Sequence, residues 1–173
     1  MRNRATRQVV LAWALAVAWA AVVWGLGSDS MASPATSAFL GSFVEWLLPG
    51  ITPGEKWTVV RFLRKSAHVF EYAVLAGLSL RAARLSWQRS ASLAAVFALG
   101  VVAAVAIADE TRQGLSEVRT GSAWDVALDV FGGLLAVGLA LAVEALYRQR
   151  PGGESADPAS SGRVGAERGQ PIP

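Results

Sequence analysis

The stretch IADETRQGLSEVRTGSAWDVALDVFGG, residues 107–133, decides how this chain is read. It carries five carboxylates, Asp109, Glu110, Glu117, Asp125 and Asp129. It also joins two apolar runs, VVAAVAIA at one end and GGLLAVGLALAV at the other. Ionisable groups beside and inside membrane-length segments are expensive, so they face a bundle interior or a watery cavity. The function of the protein is expected here.

Working outward, the whole chain has 173 residues, 53% of them hydrophobic and only 17% charged. A soluble domain of this size needs a more polar surface. The apolar residues fall in blocks, which points to an integral membrane protein. There are no cysteines, hence no disulfide framework, no thiolate metal site and no Cys nucleophile. The net charge is +3, and the basic residues are scattered rather than gathered in a stripe, so a nucleic-acid partner is not expected.

Four blocks are long enough to cross about 30 Å of hydrocarbon at ~1.5 Å per residue: residues 9–26, 67–83, 91–108 and 124–146. The expected fold is an all-α integral membrane bundle of four transmembrane helices, with a short interfacial helical segment between the first two. The first block follows Arg2, Arg4 and Arg7 and exceeds a signal-peptide core, so it reads as a retained span. Cleavage after small residues near 33–35 is the alternative. Residues 1–150 form the membrane domain. Residues 151–173 are Gly, Ser, Pro and charge without periodicity and read as a disordered cytoplasmic tail.

Arg2, Arg4, Arg7, Arg81, Arg84, Arg89, Arg148 and Arg150 fall on one side of such a bundle. The positive-inside rule assigns that side, with both termini, to the cytoplasm. Lys56, Arg61, Arg64, Lys65, Arg112 and Arg119 fall on the other side, so the asymmetry is weak. Nine of the thirteen acids also lie on that outer side. Acids contribute little to topology, so their clustering needs another cause.

In the outer segment, Phe39, Leu40, Phe43, Val44 and Leu47 repeat at helical spacing with Trp46 beside them, which suits a helix lying in the membrane interface. Leu48-Pro49-Gly50 stops it. Thr52-Pro53-Gly54-Glu55 has the form of a capping box with proline at the first helical position. A helix starting there carries Trp57, Val60 and Leu63 toward the second span.

Three helices supply a polar constellation. On the second span Lys65, His68 and Tyr72 share a face, continued by the small residues Ala76, Ser79 and Ala83. The opposite side, Val69, Phe70, Val74 and Leu78, is expected to face lipid. On the third, Asp109 and Glu110 follow a run of small apolar residues, with Gln113 one turn beyond Asp109. On the fourth, Asp125 and Asp129 run into Gly132, Ala136 and Ala140 along one face, and Asp129 lies a turn deeper than Asp125. A buried acid needs a partner, and Arg119 and Lys65 are the obvious ones. Span counting alone brings Lys65, His68, Tyr72, Asp109, Glu110, Gln113, Arg119, Ser122, Asp125 and Asp129 to the same side of the membrane, around one outer-leaflet cavity.

These residues resemble the signatures of the VanZ-like family. Lys65-Ser-Ala-His68-Val-Phe-Glu71-Tyr72-Ala-Val-Leu75 is similar to its "K..H...Y..L" pattern. Asp109-Glu110-Thr-Arg-Gln113 is similar to "DE..Q", and the run from Arg119 through Ser122, Asp125 and Asp129 to Gly132 is similar to "R..s..D...D..G". Each motif alone is weak, and the three in order are specific. The outer segment before Lys65 is longer than in the shortest members. The resemblance implies a small bacterial plasma-membrane protein with four spans. The family is named for a member associated with resistance to the glycopeptide antibiotic teicoplanin, which says nothing of the chemistry of this site.

Three readings of the site follow. In the first, the cavity binds a membrane lipid or cell-wall precursor, or a glycopeptide, with Lys65, Arg64 and Arg119 meeting phosphates or carboxylates. In the second, the protein is a membrane-embedded hydrolase in which His68 is the base or a metal ligand. Asp109, Glu110, Asp125 and Asp129 then act as acids or further ligands. No GxSxG or HExxH motif supports that reading, and no cofactor or resident metal is indicated. In the third, the polar groups pair only with one another and fix the bundle. Whether the protein is an enzyme stays open at this level, and a homo-oligomer is compatible with all three.

Overall fold

A computed structural model describes residues 2–28, 34–87, 90–115 and 122–149. They form five helices: α1 (Arg2–Leu26), α2 (Pro34–Leu47), α3 (Pro53–Ser86), α4 (Ala91–Gly114) and α5 (Ala123–Gln149). The expected tail and Arg119 lie outside the described residues.

Local chemistry sets the ends of the longest helix. Thr52, in an extended conformation, caps α3: its hydroxyl accepts from the Glu55 amide at 3.4 Å, while the Glu55 carboxylate accepts from the Thr52 amide at 3.0 Å. These bonds hold the Glu55 carboxyl below its usual range, the Thr52 hydroxyl contributing most. Pro53 sits at the start of the helix, where its missing N–H costs nothing. Gly50, with φ of 90°, makes the turn that separates α2 from α3. Ser90 caps α4 by accepting from the Leu93 amide.

α3 is the organising element and packs against all four other helices. Its contacts with α1 run antiparallel: Trp13 Nε1 donates to Ser86 Oγ near one end, and Trp19 Nε1 donates to the Glu71 carbonyl midway. Its contacts with α5 run parallel, from Lys65–Asp125 at one end to Arg84–Glu144 at the other. α4 returns antiparallel to α5. The start of α3, the end of α4 and the start of α5 therefore share one end of the bundle, as span counting expects. At the opposite end Glu144 is held between Arg84 and Arg148.

Side-chain size is distributed inside out. The buried residues include Ala12, Ala16, Ala76, Ala82, Ala83, Ala94, Ala95, Ala98 and Ala106. Large apolar side chains such as Leu15, Phe70, Val96 and Leu139 point outward and are more than half exposed. Water would penalise that arrangement, whereas lipid removes the penalty and leaves close backbone packing as the force between helices. α1, α4 and α5 each contain a segment long and apolar enough to cross a membrane. α3, at 34 residues or about 51 Å, is long enough too, but its charged residues keep it out of that class. Among the described residues three helices are thus long and apolar enough to cross a membrane, where the sequence reading expects four spans.

The small-residue face of α3 is buried as expected, with Ala76, Ser79 and Ala83 inaccessible. Of the side expected to face lipid, Phe70 is exposed, Val74 and Leu78 are half-buried, and so is Val69. Val69 is half-buried because α5 crosses there at Gly132, where a β-carbon would overlap the Val69 carbonyl oxygen. α2 lies against the first turns of α3, with Gly41 and Val44 buried and Lys56 Nζ 2.5 Å from Glu45 Oε1. Its other face leaves Phe39, Phe43, Trp46 and Leu47 exposed.

Candidate functional site

The α3 face that begins with Arg61 continues through Arg64, Lys65 and His68 in steps of three and four, so these side chains form a ladder along one wall. α5 supplies the facing wall with Asp125, Leu128 and Asp129. α4 closes the third side with Glu110 and Gln113. Together they line a cavity of about 200 Å³ at the shared end of the bundle.

The mouth of the cavity holds the ion pair Lys65 Nζ–Asp125 Oδ1 at 2.6 Å, with both side chains more than a third exposed. Such a pair contributes about 0–1 kcal/mol, so Lys65 can exchange its partner cheaply. Glu110 accepts from the Ser122 amide at 2.7 Å and ties the end of α4 to the start of α5. Ser122 serves through its backbone; its hydroxyl accepts from the Trp124 amide in the first turn of α5.

The floor is Asp129, only 2% exposed. His68 Nδ1 stands 3.7 Å from Asp129 Oδ1, too far for a hydrogen bond. Asp129 Oδ1 is buried without a hydrogen-bond partner among the described residues. Lys65 thus pairs with the outer of the two α5 aspartates, and among the described residues the basic side chain near the inner one is His68. One turn below His68, Tyr72 is fully buried, and its hydroxyl likewise has no hydrogen-bond partner among the described residues.

Asp109 and Glu110 are adjacent in sequence but serve different places. Asp109 turns away from the cavity toward α1. Its Oδ1 accepts from Arg112 Nη2 at 2.5 Å and its Oδ2 from Gln113 Nε2 at 2.8 Å. Arg112 also donates to the Trp24 carbonyl at 3.0 Å, and its guanidinium lies 4.4 Å from the Trp24 ring centre. Gly27 permits this clasp, because a β-carbon there would collide with the Asp109 carboxylate. Asp109 is therefore a fastening between α4 and the end of α1, and Gln113 links that fastening to the cavity wall.

Of the sequence-derived site residues, Lys65, His68, Glu110, Gln113, Asp125 and Asp129 line the cavity. Asp109 and Tyr72 do not, Ser122 contributes only its amide, and Arg119 falls outside the described residues. Arg61 is an addition. Its signal was present in the spacing, since 61, 65, 68 and 72 continue a single helical face.

Comparison with curated proteins and with solved structures finds no match. The model of the VanZ/LLP1 family matches residues 10–144, which take in α2, α3 and α4, most of α1 and α5, and every residue lining the cavity. With the three signature motifs set on three packed helices of a bundle built for lipid, the chain belongs to the VanZ/LLP1 family.

Proposed function

We propose that this protein is a multi-pass protein of the bacterial plasma membrane that binds a phosphate-bearing envelope lipid in the cavity between α3, α4 and α5. On this reading residues 67–83 of α3 form the fourth span. Both termini and the Arg84–Glu144–Arg148 cluster are cytoplasmic, and the cavity opens in the outer leaflet. The exposed Phe39, Phe43, Trp46 face of α2 lies at headgroup depth beside the mouth. A resistance role of the teicoplanin type would follow from altered availability of that lipid.

The observation that carries the reading is the ladder of cations Arg61, Arg64 and Lys65, continued by His68, on one wall of a cavity at the end of an apolar bundle. Arginine and lysine at such a place meet phosphate by charge-assisted hydrogen bonds. The test uses the full chain in nanodiscs, with retention of phosphatidylglycerol measured by native mass spectrometry. Arg64→Gln with Lys65→Gln should lower retention at least tenfold while circular dichroism stays unchanged. Equal retention by a folded double variant would sink the proposal.

The approach of His68 to Asp129 supports a second reading, a hydrolase acting on the same headgroup, with His68 moving the proton and Asp129 orienting the imidazole. Release of phosphate from a phospholipid that is abolished by His68→Ala would favour it over simple binding.

A further inference from the structure

The floor and the mouth of the cavity carry opposite chemistry. At the mouth stand Arg61, Arg64 and Lys65, with Lys65 paired to Asp125. At the floor stands Asp129, 98% buried, with Oδ1 lacking a hydrogen-bond partner among the described residues. A buried carboxylate oxygen in that state costs more than an ordinary unmade hydrogen bond, so a donor supplied from the cavity is strongly favoured there. The Tyr72 hydroxyl just beneath likewise has no hydrogen-bond partner among the described residues, and it interacts electrostatically with the Asp129 carboxyl. His68 stops short of Asp129 at 3.7 Å and leaves the oxygen to a group entering from the mouth.

The spacing between the two ends is short. Lys65 and Asp125 lie about one helical turn outside His68 and Asp129, about 5.4 Å along the helices. That is the reach of a two-carbon linker between a phosphate ester and an amine. Resting on the reading of the cavity as a headgroup site, we infer that its ligand is zwitterionic: a phosphate ester bearing a primary ammonium two carbons away. The phosphate faces Arg61, Arg64 and Lys65, and the ammonium donates to Asp129 Oδ1 at the floor. Three N–H donors matter, because a quaternary ammonium of the same charge has none to give to Asp129 Oδ1.

The experiment places the full chain in nanodiscs and compares phosphatidylethanolamine, phosphatidylcholine and phosphatidylglycerol by native mass spectrometry. Water-soluble phosphoethanolamine serves as competitor. The wild-type chain should retain phosphatidylethanolamine about tenfold over phosphatidylcholine, the size of one charge-assisted hydrogen bond. Asp129→Asn should erase that preference, and Tyr72→Phe, which keeps the shape of the core, should reduce it. Competition by phosphoethanolamine identifies the headgroup alone as sufficient. Its failure beside intact lipid selectivity assigns the ligand to the membrane-borne form. Equal retention of ethanolamine and choline lipids, or a preference that survives in a folded Asp129→Asn, overturns the inference. If phosphatidylglycerol is held as well as phosphatidylethanolamine, the zwitterion is refuted while the phosphate site stands. If no phospholipid is held above the level of the Arg64→Gln, Lys65→Gln variant, the headgroup reading itself falls.

Discussion

Adding a single methyl group at Gly132 should separate α5 from α3. A β-carbon at that position would overlap the Val69 carbonyl oxygen and lie 3.1 Å from the Val69 carbonyl carbon and Cα. All three are backbone atoms of a helix, so no rotamer change relieves them. Ordinary carbon contacts begin near 3.5 Å, so α5 must retreat by roughly 0.5–1 Å along much of its contact with α3. Overpacking of this kind costs about 1–3 kcal/mol. Alanine's better helix propensity returns about 1 kcal/mol, leaving a net loss of up to about 2 kcal/mol. Two internal comparisons isolate the steric part. Gly133→Ala meets only the Val102 side chain, at 3.1 Å, which can yield. Gly138→Ala meets nothing within 4 Å, so it should be neutral or slightly stabilising. Thermal unfolding in detergent, followed by circular dichroism, should rank stability Gly138→Ala above Gly133→Ala above Gly132→Ala. Because Asp129 lies one turn from Gly132, the last variant should also weaken lipid retention. Equal midpoints for Gly132→Ala and Gly138→Ala would refute the close approach of α3 and α5 on which the cavity depends.

Arg112→Gln should destabilise the fold by about 2–3 kcal/mol, because the buried Asp109 carboxylate keeps only Gln113 as donor and α1 loses its tie at Trp24; chemical denaturation in mixed micelles measures it. The capping box at Thr52 should respond to acid. The folded Glu55 pKa is depressed below 4.5, so its contribution is present above that value and is lost as pH falls through the lower folded pKa. Hydrogen exchange of the first turn of α3 should therefore accelerate in that acid range, and Glu55→Gln should remove the pH response. The absence of native cysteine makes topology directly testable. A membrane-impermeant maleimide applied to intact cells should label Gly54→Cys but not Arg148→Cys, and the reverse pattern would invert the orientation.

Much of the site could be read from helical spacing alone. Lys65, His68 and Tyr72 share a face because steps of three and four return to one side of a helix, and Asp125, Asp129 and Gly132 do so on α5. The capping box at Thr52 and the buried strip Ala76, Ser79, Ala83 were equally local, since each depends on residues within a turn or two. Arg61 and Val69 were harder. The arginine's spacing fits the cavity face, but the sequence offers no way to know that α4 and α5 reach that far. Val69 looks lipid-facing until α5 is laid across it at a glycine.

The pair Asp109–Glu110 marks the boundary between what sequence and structure determine. The sequence by itself settles that the chain is helical, that its helices alternate in direction, and that its polar residues gather at one end. Period, hydrophobic length and chain order are one-dimensional properties. It cannot tell that Asp109 fastens α1 through Arg112 and Gly27 while Glu110 faces the cavity. Neighbouring residues on a helix point about 100° apart, and what each one meets depends on which helix has packed into that sector. Only the tertiary structure decides that, and with it decides that Asp129, not Asp109, forms the floor of the cavity.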